Sequence, residues 1–284
     1  MSEVWYNGRL MAAGDARISA ADNGFLFGYG VFQVMRVYHG KVFRLRRHLE
    51  ALEAGLAALR MPVAAAPFRD AVLAAVEANG VIEGMCRITV TPGTGSLLPD
   101  PGGCNGPTVL VTAGPYTASP PELYERGLRL VWSSIRRNAQ SLLSGIKTTN
   151  YLESMLARQE ARAAGCDEAL LLNEKGLVVE SGSGNVFICR NGRLVTPPLG
   201  SGFIPGIVRE AVLELAPGLG IGTEEADITT GDAAAADEVF LTNSLLEVMP
   251  VVEIAGTKVG DGQPGAVTRQ LLAAYRELVR RETA

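Results

Sequence analysis

The chain of 284 residues holds only four lysines, Lys41, Lys147, Lys175 and Lys258, so any amine chemistry must come from one of these. Lys41, Lys175 and Lys258 fall at predicted hairpin turns, where an ammonium is ordinarily solvated. Lys147 differs. It follows the stretch 141–146 and precedes Thr148-Thr149-Asn150, after which a helical pattern begins. The hydroxyl and amide residues beside it predict a helix cap, which places one lysine at a helix entry. A partly desolvated lysine there is a usable nucleophile towards an aldehyde. A second feature is Glu180, at the end of an apolar strand that runs into Ser181-Gly182-Ser183-Gly184-Asn185. A glycine-rich loop allows backbone to approach a ligand closely, and the carboxylate stands at its entrance. A third is Phe203-Ile204-Pro205-Gly206-Ile207-Val208, a Pro-Gly turn opening a helix, whose free N–H groups can hold an anion. Each has an ordinary structural reading as well: a helix end, a turn and a helix start. With only two histidines, His39 and His48, a histidine-rich metal centre or a histidine-based triad has little material.

Those residues must be positioned by two kinds of element. Short apolar strands flank glycine turns at 4–10 (Asn7-Gly8), 34–45 (His39-Gly40), 169–179 (Lys175-Gly176), 186–195 (Asn191-Gly192) and 251–259 (Gly256), and read as β-hairpins. Helical periodicity covers 45–59, 68–79, 148–164, 206–215 and 267–281. Local hairpins mixed with helices predict an α+β fold rather than regular βαβ alternation. Proline and glycine cluster at 91–107, read as a surface or active-site loop, and at 113–121, read as an interdomain linker.

Composition narrows the function classes. Hydrophobic residues make up 47% and charged residues 20%, an ordinary globular balance, and the length allows one large or two ordinary domains. A net charge of −4 argues against nucleic acid or an anionic membrane as partner. No apolar run approaches membrane-spanning length, residues 1–9 lack the apolar core of a secretion signal, and the four cysteines lack metal-ligand spacing. A cytoplasmic protein with reduced thiols is expected.

Taken in order, the segments resemble the fold-type IV pyridoxal-phosphate (PLP) enzymes, the class IV aminotransferase family, which includes branched-chain and D-amino-acid aminotransferases and 4-amino-4-deoxychorismate lyase. The resemblance rests on Trp5-Tyr6-Asn7-Gly8, Gly24-Phe25-Leu26-Phe27-Gly28-Tyr29-Gly30-Val31-Phe32, Lys147-Thr148-Thr149-Asn150-Tyr151-Leu152, Glu180-Ser181-Gly182-Ser183-Gly184-Asn185-Val186-Phe187, Pro205-Gly206-Ile207, and the segment 236–251. It implies a smaller N-terminal domain (1–115), a linker (116–122) and a larger C-terminal domain (123–284) that carries the lysine, with the cofactor between the domains. It also implies a homodimer whose partner completes each site. Lys147 resembles the Schiff-base lysine and Glu180 the carboxylate facing the pyridine nitrogen. Tyr151 matches a residue near the cofactor ring, Ile207 and Val208 the backbone phosphate cup, and Ser244 a further phosphate contact. Arg87, Ser244 and Leu245 match substrate-side positions. The implied chemistry is an external aldimine with an amino substrate, Lys147 moving a proton between the substrate α-carbon and the cofactor.

The chain departs from the family pattern at three places. An arginine that grips the cofactor phosphate is usual three residues after the histidine of the first long helix; here His48 is followed by Leu49, Glu50 and Ala51. The usual phosphate-cup threonine is Val208, and Pro92 stands where many members carry arginine. Arg47, or failing that Arg44, lies on the same predicted helix face as Ala51 and is the expected substitute. Thr242-Asn243-Ser244-Leu245 resembles the lyases, so the first expectation is release of 4-aminobenzoate and pyruvate from aminodeoxychorismate. The alternatives are transamination of D-amino acids or branched-chain L-amino acids with a 2-oxo acid, and a PLP-binding protein with little catalysis.

Overall fold

The predicted turns form where residues tolerate a left-handed backbone. Asn7 and Gly8 have φ of 45° and 98°, His39 and Gly40 51° and 77°, and Asn191 and Gly192 52° and 72°. Two successive positive φ values match the right-handed twist of the strands they join. The structure, a computed structural model, describes residues 2–61, 63 and 67–284. The chain divides into two compact units, Met1–Thr117 with Ile146–Asn150 and Val279–Ala284, and Ala118–Gly145 with Tyr151–Leu278.

The first unit is built on strands β1 (Glu3–Tyr6), β2 (Arg9–Ala12), β3 (Val31–Tyr38), β4 (Lys41–Val42), β5 (Gly84–Thr91) and β6 (Thr108–Pro115), in the order β2-β1-β6-β5-β3-β4. All the pairings are antiparallel. Helices α1 (Asn23–Phe27), α2 (Leu45–Ala58) and α3 (Phe68–Ala78) accompany this sheet. Along α2 the buried residues are His48, Leu52, Gly55 and Leu56, a helical stripe that joins Val31, Met35 and Ile88 in one core. Gly55 permits the closest approach, since a Cβ there would lie 3.0 Å from both Ile146 and Val31.

The second unit contains α4 (Pro121–Arg126), β7 (Leu128–Arg137), α5 (Leu152–Ala163), β8 (Glu168–Asn173), β9 (Val178–Ser181), β10 (Asn185–Arg190), β11 (Arg193–Thr196) and α6 (Ile207–Leu215). It continues with β12 (Thr223–Glu225), α7 (Thr230–Ala234), β13 (Glu238–Asn243), β14 (Glu247–Ile254), β15 (Thr257–Lys258) and most of α8 (Ala266–Thr283). The strands follow the order β12-β11-β10-β13-β14-β7-β8-β9, with β15 on β14. Because β9 also pairs with β10, at Glu180 and Asn185, the strands β10, β13, β14, β7, β8 and β9 close into a ring. Phe187 and Phe240, opposite each other on β10 and β13, stack at 4.9 Å within the unit's buried interior.

Three features differ from the sequence expectation. The helix expected from residue 148 starts at Leu152, because Thr148 bridges Val31 of β3 and the segment is bound as extended chain. For the same reason Ile146–Asn150, with Lys147, groups with the first unit rather than with the C-terminal stretch to which the sequence assigned it. In addition β7 and β8 pair in parallel across α5, a crossover among the hairpins.

Candidate active site

Lys147 is held by backbone on one side and by its neighbours' side chains on the other. Phe32 donates its N–H to the Lys147 carbonyl at 2.9 Å, and Thr149 donates its N–H to Gly30 at 2.9 Å. The Thr149 hydroxyl and the Asn150 amide each donate to the Gly28 carbonyl at 2.7 Å. Gly28 has a φ of 65°, and a Cβ there would lie 2.6 Å from Asn150, so only glycine fits this anchor. The hydroxyl and amide residues beside the lysine therefore fix its segment; they do not cap α5, whose N-cap is the half-buried Tyr151.

The lysine Nζ lies 4.8 Å from the centre of the buried Phe32 ring, and the Arg87 guanidinium carbon 3.8 Å from the same ring. Two cations share one aromatic ring, a place suited to an anionic group. Arg87 is further oriented by its Nε–H, which donates to the Thr89 hydroxyl at 3.1 Å. His48, buried on α2, has its Nδ1 3.2 Å from the Gln33 side-chain oxygen, so Nδ1 carries the proton. Burial, and then the Lys147 charge, push its pKa down to about 3, so the imidazole stays neutral.

On α2, Arg47 pairs with Glu50 one turn on, and Arg44 stands at the helix start, 3.5 Å from Glu282 and over the Phe43 ring. Ala51 is half-buried. The Arg47–Glu50 pair is partly exposed on both sides, and such a pair is worth only about 0.3–0.5 kcal/mol.

In the second unit Glu180 lies on β9, next to its last residue Ser181, and is 4% exposed. One oxygen accepts from Arg137 Nε–H at 2.8 Å and the other from the Ile204 N–H at 3.3 Å. Asn185, opposite Glu180, donates its amide to the Ile204 carbonyl at 2.8 Å. Gly206 is the N-cap of α6, and a Cβ there would lie 2.2 Å from the Asn185 side-chain oxygen. Among the described residues no side chain caps α6. Its first turn, Ile207 and Val208, thus presents backbone N–H groups and a positive helix end to an anion. Ser244 lies in the turn between β13 and β14. The Asn243 side-chain oxygen accepts the Leu245 and Leu246 N–H groups at 2.8 and 2.7 Å, and its amide donates to the Ser183 carbonyl at 3.0 Å. Asn185 and Asn243 thus tie the Glu180 loop to the start of α6 and to the Ser244 turn.

The second unit therefore brings Glu180, Ile207, Val208, Ser244 and Leu245 onto connected loops, and the first brings Lys147, Arg87 and Phe32 onto one ring. Sequence reading gave no role to Phe32, Arg137, Asn185 or Asn243. The two asparagines stood inside quoted motifs. The signal available for them was an amide flanked by buried apolar residues, which needs a hydrogen-bond partner.

Comparison with known proteins places these motifs in context. Residues 30–254 match the family model of amino-transferase class IV. A protein of Methanocaldococcus jannaschii named a putative branched-chain-amino-acid aminotransferase is 37% identical over 279 residues, 97% of this chain and 96% of that one. The crystal structure of a branched-chain amino acid aminotransferase from Thermoproteus uzoniensis, with norvaline, superposes with a TM-score of 0.90 at 34% identity, covering 99% of this chain and 95% of that one. The 4-amino-4-deoxychorismate lyase of Pseudomonas aeruginosa superposes with a TM-score of 0.86 at 33% identity, covering 96% of this chain and 98% of that one.

Proposed function

Since this chain belongs to the class IV aminotransferase family, we propose that it is a PLP-dependent aminotransferase moving the amino group of a branched-chain L-amino acid to a 2-oxo acid. The observation that carries this reading is the 37% identity, over 97% of the chain, to the relative named a branched-chain aminotransferase. The residues fit the cofactor: an amine on an anchored segment, a buried ionic carboxylate and an uncapped helix start that suits a phosphate.

When bound, PLP supplies the electron sink that makes the substrate α-carbon acidic. Lys147 Nζ would hold the cofactor covalently and, as a free amine, would carry the proton of that carbon. Glu180 would face the pyridine nitrogen and favour its protonated form. Arg87, set over Phe32 and oriented by Thr89, binds the substrate carboxylate, with Leu245 and Ser244 completing that side. Tyr151 would flank the cofactor ring, and Ile207, Val208 and Ser244 would hold the phosphate. Neutral His48 adds no competing positive charge beside Lys147.

The lyase expectation yields to this reading. It rested on the turn from Thr242 to Leu245, but Asn243 there serves the loops themselves, binding Leu245, Leu246 and Ser183. That use is the same whichever reaction the enzyme runs. The reading includes a homodimer, supported by exposed apolar side chains at Phe25 and Phe27 on α1 and at Leu152 and Met155 on α5. It also includes a cytoplasmic location, supported by four free cysteines; no described helix is long and apolar enough to cross a membrane.

Purified protein should convert L-valine, L-leucine and L-isoleucine with 2-oxoglutarate, forming glutamate. Formation of 4-aminobenzoate and pyruvate from aminodeoxychorismate without an acceptor would restore the lyase reading. Turnover of D-alanine alone would move the enzyme to the D-amino-acid branch.

The phosphate site carries a separate expectation. A doubly charged phosphate in a partly buried cup favours an arginine fork, and Ala51 cannot provide one. Arg47, one turn before Ala51 and paired with Glu50, is the first candidate, and Arg44 the second. Titrating apo-protein with PLP should show affinity falling at least about tenfold, roughly 1.4 kcal/mol, for Arg47→Ala or Arg44→Ala. Unchanged affinity in both would leave the phosphate to the Ile207 and Val208 backbone and the Ser244 hydroxyl.

A further inference from the structure

β7 ends on two arginines that face opposite ways. Arg136 is exposed and donates to the Ser133 carbonyl at 2.6 Å, whereas Arg137 is buried. The Arg137 guanidinium spends its fork on three partners: Nε–H to Glu180 at 2.8 Å, Nη1–H to Glu153 at 2.6 Å, and Nη2–H to the Ser154 hydroxyl at 2.8 Å. The two carboxylates are unequal. The Glu153 side chain is 51% exposed and keeps its own hydration, while the Glu180 side chain is 5% exposed and depends on its neighbours. Ser154, fully buried on α5, fixes the far end of the fork. Because the guanidinium is planar, anchoring Nη1 and Nη2 on the first turn of α5 sets the direction from which Nε meets Glu180.

Two further facts bear on charge. Burial opposes the arginine cation, but Glu180 and Glu153 outweigh it and hold the guanidinium above its usual range, so it remains charged. The second Glu180 oxygen takes the Ile204 N–H, so both oxygens are oriented.

We propose that Arg137 is a positioning residue for the reaction: anchored on α5, it holds Glu180 ionised and in a single rotamer, ready to accept the pyridine N–H. The inference rests on the reading that Glu180 faces the cofactor nitrogen. Without the cation, a buried carboxylate competes for the pyridine proton and takes it, leaving a carboxylic acid beside a neutral ring. Arg137 makes no contact with the reacting atoms in this scheme and acts only through Glu180.

The test compares holoenzyme forms of the wild type, Arg137→Gln, Arg137→Lys and Glu180→Gln, by the absorption band of the lysine-bound cofactor and by the separate values of kcat and KM. Arg137→Gln is expected to keep PLP fixed on Lys147 by borohydride and to displace the band as Glu180→Gln does. Its kcat should fall at least about tenfold, with KM for the amino donor within roughly threefold. Arg137→Lys restores the charge, and should recover the wild-type band with part of kcat. A wild-type band and kcat in Arg137→Gln, with only a lowered unfolding midpoint, overturns the proposal and leaves Arg137 a structural residue. If Glu180→Gln itself matches the wild type, the parent reading falls and takes this one with it; impaired Glu180→Gln beside unimpaired Arg137→Gln overturns this one alone. Should Arg137→Gln fail to fold, the double variant Glu153→Gln, Ser154→Ala carries the test, since it frees the fork while keeping its charge. It should lower kcat, and an unchanged band and kcat there also overturns the proposal.

Discussion

Replacing Lys147 with alanine is expected to lower turnover by about 10⁴-fold or more, close to 5.5 kcal/mol in the barrier, while the protein still folds. The size follows from two roles lost together. On the proposed reading Lys147 would hold the cofactor covalently and its free amine would move the proton at the substrate α-carbon; general acid–base work alone is typically worth about 10²–10⁴. Folding should survive because the anchors of the segment are not on Lys147. The Thr149 and Asn150 side chains hold Gly28, and the backbone bonds to Phe32 and Gly30 do not use the Nζ. Borohydride treatment of loaded wild type should place the label on Lys147, and the alanine variant should take none. Lys41→Ala, Lys175→Ala and Lys258→Ala should turn over as the wild type does. Label on any of those three would move the Schiff base away from Lys147.

Glu180→Gln should retain the cofactor and lose about 10²–10³ in kcat, the cost typical of removing one preorganised electrostatic contact. The amide is nearly the same shape, so the change falls on charge. A neutral glutamine cannot hold the pyridine nitrogen protonated, and its NH₂ end cannot accept a hydrogen bond. Only one of the two donors now served, Arg137 Nε–H and the Ile204 N–H, would keep its acceptor. Leaving the other buried and unsatisfied should cost about 1–3 kcal/mol of stability, measurable by urea unfolding of the cofactor-free protein. The two consequences are separable. Lost stability with normal kcat would make Glu180 a structural residue, and lost kcat with the cofactor bound supports the tuning role.

What could be read from the sequence was local. Asn7-Gly8, His39-Gly40 and Asn191-Gly192 specify their hairpins because the residues adopting positive φ are adjacent in the chain. Lys147 stands apart among four lysines by its place in the chain, and the role proposed for it comes from the family resemblance. The start of α5 was misread because Thr148, Thr149 and Asn150 suit a helix cap as well as they suit what they do. Their partners, Val31, Gly30 and Gly28, lie about 120 residues away, with separations of 121 and 122 for the side-chain bonds. Arg137 was illegible for the same reason. Two arginines at a strand end alternate in facing direction, and which one is buried depends on Glu180, 43 residues on. The reaction type was not legible from Thr242-Asn243-Ser244-Leu245, because Asn243 there has a local duty that is independent of the chemistry.

The six-strand ring of the second unit closes at one described rung, Glu180 opposite Asn185. A closed ring has no free edge, and a rung with few companions is where local opening costs least. The carboxylate assigned to the cofactor is thus also a clasp of the architecture, tied through Asn185 and Ile204 to the start of α6. Whatever fills the space before Glu180 would fasten that clasp, and amide hydrogens on β9 and β10 would then exchange more slowly with solvent.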